Sequence, residues 1–195
     1  MEKVRELVFA TNNAHKLAEA RAMAGDRFRI VSLAEIGCHD DIPETSDTLT
    51  GNALQKARWV RDHYGCDCFA DDTGLMVDAL NGAPGVMSAR YAGPGHDSSA
   101  NMARLLRELE GADNRRAHFT TVIALCLNGE EHLFEGRVDG TIAQTPSGNA
   151  GFGYDPVFVA DETGLSFADM TPEAKNSISH RGRAMAALGK YLCGE

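Results

Sequence analysis

The strongest restriction on the fold comes from a pair of long β-type runs, Ala117–Leu127 and His132–Thr141. They are joined through Asn128-Gly129, a dipeptide that readily takes the positive φ angles of a tight hairpin turn. The pattern therefore predicts a long antiparallel hairpin. The sequence leaves open whether this hairpin lies in the core, forms a dimer interface or does both.

Shorter strand-like and helix-like segments alternate along the rest of the chain. Brief apolar runs predict strands, and apolar residues at helical spacing predict helices. The predicted strands are Leu7–Ala10, Phe28–Ser32, Cys66–Ala70 and Pro156–Val159, and the predicted helices are Ala14–Ala24, Thr50–His63, Ser98–Glu110 and Arg181–Leu192. This alternation, with the hairpin, indicates an α/β or α+β fold on a mixed sheet. Because no repeat or linker is found, residues 1–195 are expected to form a single domain.

Charge and cysteine content restrict the ligands and the compartment. The net charge of −9 argues against a nucleic acid partner, because the chain has no long basic stripe. No apolar run is long enough to span a membrane, and the N-terminus does not read as a signal peptide. The five cysteines are odd in number and lack CxxC spacing, which disfavours a zinc site or a disulfide framework. We therefore expect a soluble cytoplasmic protein with a small ligand.

The first candidate site lies between the first predicted strand and the first predicted helix, at Thr11-Asn12-Asn13-Ala14-His15-Lys16. Helix N-termini expose N–H groups and the positive end of the helix dipole, so they bind anions. The threonine and asparagines add donors, and Lys16 adds a positive charge one turn into the helix. The segment is not a Walker A loop, because GxxxxGK[ST] is absent. Taken alone, it is more typical of an ordinary Asn/Thr helix cap with a solvated lysine.

The second candidate site is the acidic pair Asp71-Asp72, which follows an apolar strand and precedes Thr73-Gly74. Adjacent strand residues point to opposite faces, so one carboxylate can address a site while the other orients helices or loops. A carboxylate at the end of a buried strand can hold Mg²⁺ or activate water. The alternative is a simple turn, for which Asp-Asp-Thr-Gly is equally suitable.

A third candidate site combines Glu44, in an acidic loop, with Lys56 on the predicted helix that follows. Mg²⁺ in phosphate chemistry commonly takes one or two protein carboxylates and fills its shell with phosphate oxygens and water. Glu44 and Asp72 would meet that need, and Lys56 would be a further phosphate cation. Sequence alone favours a solvated acidic loop here.

The fourth candidate site is Gly151-Phe152-Gly153-Tyr154-Asp155-Pro156, followed by Lys175 and Ser179-His180-Arg181. Glycines let backbone N–H groups approach a ligand, and aromatic rings can stack on a base. The downstream cations could complete a pocket for a polar base edge or for phosphates. The alternative is a glycine-bordered turn with a core phenylalanine and a helix start at Ser179. Together, the four sites contain what a nucleotide hydrolase needs.

Five ordered blocks of the chain resemble the inosine triphosphate pyrophosphatase family, also called Ham1-like or non-standard purine NTP pyrophosphatases. The blocks read LVFATNNAHKLAE, IPET..T..GNALQKA, FADDTGLMVDALNGAPGVMSARYAG, GFGYDPVF and TPEAKNSISHRGRA. They span about Leu7 to Ala187, nearly the whole chain. The DDTGL and SHRG blocks are highly specific for this family.

The resemblance implies an α/β fold with an elongated mixed β-sheet flanked by helices, and two lobes with a central nucleotide cleft, usually in a homodimer. It implies Mg²⁺-dependent hydrolysis of ITP, dITP or XTP to the monophosphate and pyrophosphate. Asp72 would be the proton acceptor and, with Glu44, a metal ligand. The residues implied to bind substrate are Thr11, Asn12, Asn13, Ala14, His15, Lys16, Lys56, Thr73, Phe152, Gly153, Tyr154, Asp155, Lys175, His180 and Arg181.

The chain departs from the family pattern at two places. Gly51 stands where the family often has Glu, which removes one acidic group near the implied metal. The phosphate loop reads TNNAHK, which leaves the role of His15 open.

Two other functions compete with this one. A related pyrophosphatase for modified pyrimidines or dUTP would need a base pocket other than the one that GFGYDP and SHRG indicate. A nucleotide-binding sensor that does not hydrolyse its ligand would not need two metal-holding carboxylates, and Glu44 and Asp72 are both present.

Overall fold

A computed structural model describes residues 5–194, which form seven strands and five α-helices. The strands are β1 Glu6–Phe9, β2 Arg29–Ser32, β3 Cys68–Val77, β4 Pro84–Gly85, β5 Arg116–Leu127, β6 Glu130–Ile142 and β7 Phe158–Ala160. The helices are α1 Ala14–Ala24, α2 Leu49–Tyr64, α3 Ser98–Glu108, α4 Pro172–Ile178 and α5 His180–Cys193. No helix among these described residues is both long and apolar enough to cross a membrane.

The strands form a mixed sheet in the order β2-β1-β3-β5-β6-β7, with β4 paired to β3. β1 pairs in parallel with β2 and with β3, whereas β4 with β3 and β7 with β6 pair antiparallel. A mixed sheet with helices between its strands confirms the α/β class. The predicted hairpin is also confirmed, because β5 and β6 are neighbours joined by Asn128 (φ 51°) and Gly129 (φ 84°).

The chain divides into two compact units. The first consists of the chain up to Asp72, of Thr121–Gly136 and of the chain from Arg181 on, and the second consists of Thr73–Thr120 and Arg137–His180. The unit boundaries therefore fall inside β3, β5 and β6 and at the start of α5.

The core of the first unit is built on β1 and the helix that follows it. Phe9 on β1 stands beside Phe69 on β3, and their rings stack with centroids 4.4 Å apart. Such cross-strand aromatic pairs stabilise a sheet beyond the area they bury. The buried apolar residues of this core are Leu7, Phe9, Ala20, Ala24, Phe28, Ile30, Phe69, Ile123, Leu125, Leu127, Ala184, Met185 and Leu188.

The second unit has its own core, in which three phenylalanine rings meet. The Phe119 and Phe158 centroids are 4.7 Å apart, and those of Phe158 and Phe167 are 5.0 Å apart. The buried apolar residues around them are Leu75, Val77, Tyr91, Leu105, Leu109, Ala117, Val138, Ile142, Tyr154, Val157, Ala160 and Met170.

Two sequence predictions need correction. The predicted strand Cys66–Ala70 does not end in a turn at Asp71, because β3 runs without interruption from Cys68 to Val77. The helix α4 was not predicted; it has seven residues, is capped by Thr171 and has Pro172 in its first turn. A proline there costs no hydrogen bond, because the first turn of a helix has free N–H groups.

Candidate functional site

The segment predicted to hold phosphates is an ordered helix cap in this structure. The Asn13 side-chain oxygen accepts hydrogen bonds from the N–H groups of His15 (2.9 Å) and Lys16 (3.1 Å). Thr11 Oγ1 accepts from Asn13 N at 3.1 Å. Asn12 and Ala14 are exposed at the same turn. An anion that bound the N–H groups of His15 and Lys16 would therefore have to displace the Asn13 side chain.

Lys16 points from this cap towards β3. Its Nζ donates to Asp71 Oδ1 at 2.9 Å. Burial lowers the pKa of Lys16, and the charge of Asp71 only partly offsets this. Lys16 is thus a desolvated cation held next to the loop that precedes α1.

Asp71 connects two helices of the first unit. It is 1% exposed and also accepts from Arg181 Nε at 3.1 Å, and Arg181 Nη1 donates to Glu19 Oε2 at 2.5 Å. Burial alone would raise the pKa of Asp71, but the Lys16 and Arg181 charges outweigh it and hold that pKa far below its ordinary value. Asp71 therefore orients α1 and α5 as a permanent anion. Arg181, predicted to bind substrate, is itself buried behind this carboxylate.

Asp72, the predicted proton acceptor, behaves in the opposite way. It is 8% exposed, and its Oδ2 accepts from Asn52 Nδ2 at 3.1 Å. Burial raises the pKa of Asp72, and the charges of Lys56 and Lys16 only partly offset this. A carboxylate that is costly to keep ionised is poised to take a proton.

Asn52 was not among the site residues predicted from the sequence. It lies one helical turn before Lys56 on α2, and both side chains are buried among the apolar residues of that helix. The sequence signal for these two residues is their spacing of four positions within an otherwise apolar helix face, because buried polar groups need hydrogen-bond partners. Lys56 donates to Glu44, which brings the acidic loop onto α2.

Glu44 and Asp72 form a donor set that fits a magnesium ion. Glu44 lies near enough that its charge helps to raise the pKa of Asp72, so the two carboxylates repel each other. A divalent cation would relieve that repulsion. No group of three or more His, Cys, Asp or Glu side chains within residues 5–194 could hold a metal alone. Two carboxylates are nevertheless what Mg²⁺ uses when phosphate oxygens and water complete its shell.

The residues around Gly51, where the chain departs from the family pattern, leave little room for a side chain. A Cβ atom there would lie 1.9 Å from Ser46 Oγ and 2.9 Å from Thr48 Oγ1. Thr48 caps α2 by accepting from Gly51 N at 3.0 Å. A side chain at this position would therefore clash with the Ser46 and Thr48 side chains, and these would have to move.

In the second unit, Asp155 organises the predicted base-binding loop. Its Oδ2 accepts from Phe152 N at 2.8 Å and from Lys175 Nζ at 2.7 Å. The Lys175 ammonium also lies 5.0 Å from the centroid of the Phe152 ring, which favours a cation–π contact. Gly151 has a φ of 74°, and a Cβ there would lie 2.0 Å from Asp155 Oδ2. The loop therefore requires glycine at this position.

Tyr154 and His180 are anchored inside the second unit. The Tyr154 hydroxyl donates to Ser88 O at 2.7 Å, and burial raises the pKa of Tyr154. Ser88, which the sequence analysis did not single out, also accepts from Leu75 N at 2.9 Å. The buried His180 ring stacks on Phe119 with centroids 4.5 Å apart. By contrast, Phe152, Gly153 and Thr73 are partly exposed.

The structure thus groups the predicted residues into two sets. One set, in the first unit, holds Lys16, Lys56, Glu44, Asp72 and Arg181 with their partners Asp71 and Asn52. The other set, in the second unit, holds Phe152, Tyr154, Asp155 and Lys175. The first set is suited to binding phosphates with a metal, and the second to binding an aromatic ring.

Several known proteins are similar to this chain over nearly its whole length. A sequence model described as the Ham1 family matches residues 7–191. A protein of Flavobacterium psychrophilum named dITP/XTP pyrophosphatase is 51% identical over 183 residues, which cover 94% of this chain and 96% of that protein. A Porphyromonas gingivalis protein of the same name is 54% identical over 190 residues, covering 97% of this chain and 98% of that protein. The solved structure of a HAM1 protein from Coxiella burnetii, 38% identical, superposes with a TM-score of 0.89 over 98% of this chain and all (100%) of that chain.

Proposed function

This chain belongs to the Ham1 family, and we propose that it hydrolyses the non-standard purine nucleotides dITP, XTP and ITP to the monophosphate and pyrophosphate. The observation that carries the proposal is the identity of 51% and 54% to two proteins named dITP/XTP pyrophosphatase across nearly the whole chain. The buried acidic and basic residues of the first unit supply chemistry that such a reaction needs.

Asp72 is the general base in this proposal. Its raised pKa brings the carboxylate closer to neutral pH, where a base takes protons from water most effectively. The hydrogen bond from Asn52 to Oδ2 fixes the orientation of the carboxylate that would accept the proton of the attacking water. Because Asp71 is a permanent anion, it does not compete for that proton.

Lys16 and Lys56 offset the negative charge of the triphosphate. Both are buried or nearly so, and cations act more strongly on a phosphate when water is excluded. Glu44 and Asp72 would hold Mg²⁺, which supplies charge neutralisation and positioning of phosphate oxygens. Phosphoryl transfer depends mainly on these two effects, so a few cations suffice.

The purine is assigned to the second unit. Phe152 would stack on the ring without choosing among purines. The backbone N–H groups of Gly153 and Tyr154, within the loop closed by the Phe152–Asp155 hydrogen bonds, would donate to the 6-oxo group that hypoxanthine and xanthine carry. Adenine has an amino group at that position and would leave the donors unpaired, which a buried site tolerates poorly. Lys175 and Asp155 support this loop through the contacts described above.

The proposal includes a cytoplasmic homodimer as the acting form. The five cysteines are all free thiols in the structure, which suits a reducing compartment. Dimerisation follows from the family resemblance, and light scattering of the purified protein measures it directly.

Phosphorus NMR of the reaction mixture tests the reaction itself. With ITP and Mg²⁺ we expect inosine monophosphate and pyrophosphate, and no inosine diphosphate or orthophosphate. Chelation of the metal should stop the reaction, and the Asp72→Asn variant should lose orders of magnitude in kcat. Release of orthophosphate, or near-normal turnover by Asp72→Asn, would contradict the proposed reaction or the proposed base.

A further inference from the structure

Two cysteines of the first unit lie on neighbouring strands, and both sulfurs contact the same helix, α2. Cys68 begins β3, and Cys126 is the second-last residue of β5, which stands beside β3 in the sheet. Both residues are buried, and Asn128 N donates to Asp67 Oδ1 at 2.9 Å, so the strand ends that carry the two cysteines meet. Cα atoms of residues that pair across neighbouring strands are about 4.5–5.5 Å apart, which is within the range that a disulfide spans.

The two thiols have different surroundings. Arg61 Nη1 donates to Cys126 Sγ at 3.9 Å, whereas Cys68 Sγ donates to the Ala57 carbonyl at 3.1 Å. The neighbouring Cys68 thiol and the Arg61 charge lower the pKa of Cys126 and outweigh its burial. The Cys126 sulfur and burial raise the pKa of Cys68. Cys126 is therefore the nucleophile of the pair.

Arg61 also connects the pair to the surface. Its side chain is 31% exposed and forms ion pairs with Asp62 and with Glu131, and Glu131 also binds Arg58. Cys126 thus lies directly beneath a partly exposed arginine on α2. Movement of that arginine would open a path from solvent to the sulfur for a molecule the size of hydrogen peroxide.

We propose that Cys68 and Cys126 are an oxidisable thiol pair that hydrogen peroxide converts into a disulfide. The Cys126 thiolate attacks one peroxide oxygen, which breaks the O–O bond, forms a sulfenic acid and releases water after protonation. The Cys68 sulfur then attacks the sulfenic sulfur, its proton leaves with the hydroxyl group as a second water, and the S–S bond forms. Two thiols are oxidised, and one peroxide is reduced to two waters. The crosslink would tie β3, the strand that carries Asp71 and Asp72, to β5.

Peptide mass spectrometry tests this pair. The reduced full-length protein is treated with a small excess of hydrogen peroxide, blocked with an alkylating reagent and digested without reductant. We expect one crosslinked species that joins the Cys68 and Cys126 peptides, lacks two hydrogens and disappears with dithiothreitol. Cys66 shares a peptide with Cys68, so the Cys66→Ser variant must give the same crosslink. In Cys68→Ser the crosslink should vanish and Cys126 should instead be trapped as a sulfenic acid.

The rate of crosslinking tests the role of Arg61. Removing its charge raises the pKa of Cys126. Each unit of that rise lowers the thiolate fraction about tenfold, but the thiolate that remains is a stronger nucleophile. Arg61→Gln should therefore slow the crosslink roughly threefold for each unit that the pKa rises. Arg107→Gln, an exposed arginine of the second unit, should leave the rate unchanged. The proposal is overturned if the crosslink forms only in denaturant, if Cys66 replaces either partner, or if Arg61→Gln oxidises at the wild-type rate.

Discussion

Replacing Asp71 by Asn should destabilise the protein far more than replacing its neighbour Asp72 by Asn. Asp71 is an ionised carboxylate that two buried cations hold, so its loss leaves Lys16 without its anion. Asp72 is a carboxylate whose charge is disfavoured by burial, so an amide in its place removes an unfavourable charge. Asn52 can still donate to the oxygen of that amide.

The structure indicates how much Asp71→Asn should lower the free energy of unfolding. Removing one partner of a buried ion pair costs about 3–5 kcal/mol. Arg181 keeps its bond to Glu19 at 2.5 Å, so only Lys16 is left uncompensated. We therefore expect the lower end, about 3 kcal/mol. With a urea m value of about 2 kcal/mol/M, the midpoint should fall by about 1.5 M. Asp72→Asn should remain within about 1 kcal/mol of the wild type.

Urea unfolding followed by circular dichroism measures both variants under identical conditions. Asp62→Asn is a suitable control, because Asp62 also pairs with an arginine but its side chain is 58% exposed. Surface pairs contribute little, so that variant should unfold at the wild-type midpoint. Equal losses for Asp71→Asn and Asp72→Asn would refute the assignment of opposite roles to the two carboxylates.

Acid titration of the wild type provides a further test of that difference. The pKa of Asp71 is lower in the folded state than in the unfolded state, so its ionised carboxylate stabilises the fold at pH values above the unfolded-state pKa of about 3.9. That stabilisation is lost as the pH falls through the folded-state pKa. The pKa of Asp72 is higher in the folded state than in the unfolded state, so its protonated form stabilises the fold at pH values below the unfolded-state pKa of about 3.9. That stabilisation is lost as the pH rises through the folded-state pKa. Asp71→Asn should therefore flatten the acid limb of stability, and Asp72→Asn should not.

Three other outcomes follow from the site. Tyr154→Phe removes the hydrogen bond to Ser88 and should cost about 1 kcal/mol in thermal or urea unfolding, with the fold retained. Phe152→Ala should raise KM for ITP, XTP and GTP together, because stacking does not distinguish purines; a loss confined to ITP in steady-state assays would refute that role. In a pH–rate profile, kcat/KM should fall on the acid side at a pH above the ordinary aspartate pKa, because burial raises the pKa of Asp72. It should fall on the alkaline side below the ordinary lysine pKa, because burial lowers the pKa of Lys16; Lys16→Arg should remove that alkaline limb.

Local signals predicted the elements that depend on local chemistry. The bounds of α1 were predicted correctly, because Asn13 is a strong cap and Gly25 follows the last turn. The β5–β6 hairpin was predicted from Asn128-Gly129, since this dipeptide favours the required positive φ angles. In both cases the residues that determine the structure lie within the segment itself.

The path of β3 could not be predicted in the same way. Asp-Asp-Thr-Gly is typical of a turn, yet the strand continues through it because distant residues satisfy the carboxylates. Lys16 is 55 positions from Asp71, and Arg181 is 110 positions away. Sequence spacing contains no information about such partners, so it also could not tell which carboxylate orients the helices and which has the raised pKa.

The family blocks identified the site residues but not their partners. Asn52 and Ser88 lie within those blocks, and the resemblance alone gave them no role. Their importance follows from what they contact, Asp72 for one and Tyr154 for the other. Buried polar side chains on an apolar face are the signal that could have drawn attention to both.

The most direct test of the proposed function is pyrophosphate release by the purified protein with Mg²⁺, comparing kcat/KM for dITP, ITP and XTP with those for ATP and GTP. We expect the three non-standard nucleotides to be hydrolysed with much higher kcat/KM than ATP, since a buried pocket of donors matched to the 6-oxo group can discriminate thousands-fold against adenine. Guanine also carries a 6-oxo group, so a preference over GTP requires that the pocket disfavour its 2-amino group. Equal hydrolysis of all five nucleotides would contradict the selectivity, and tight binding of ITP without pyrophosphate release would show a nucleotide-binding protein instead of an enzyme.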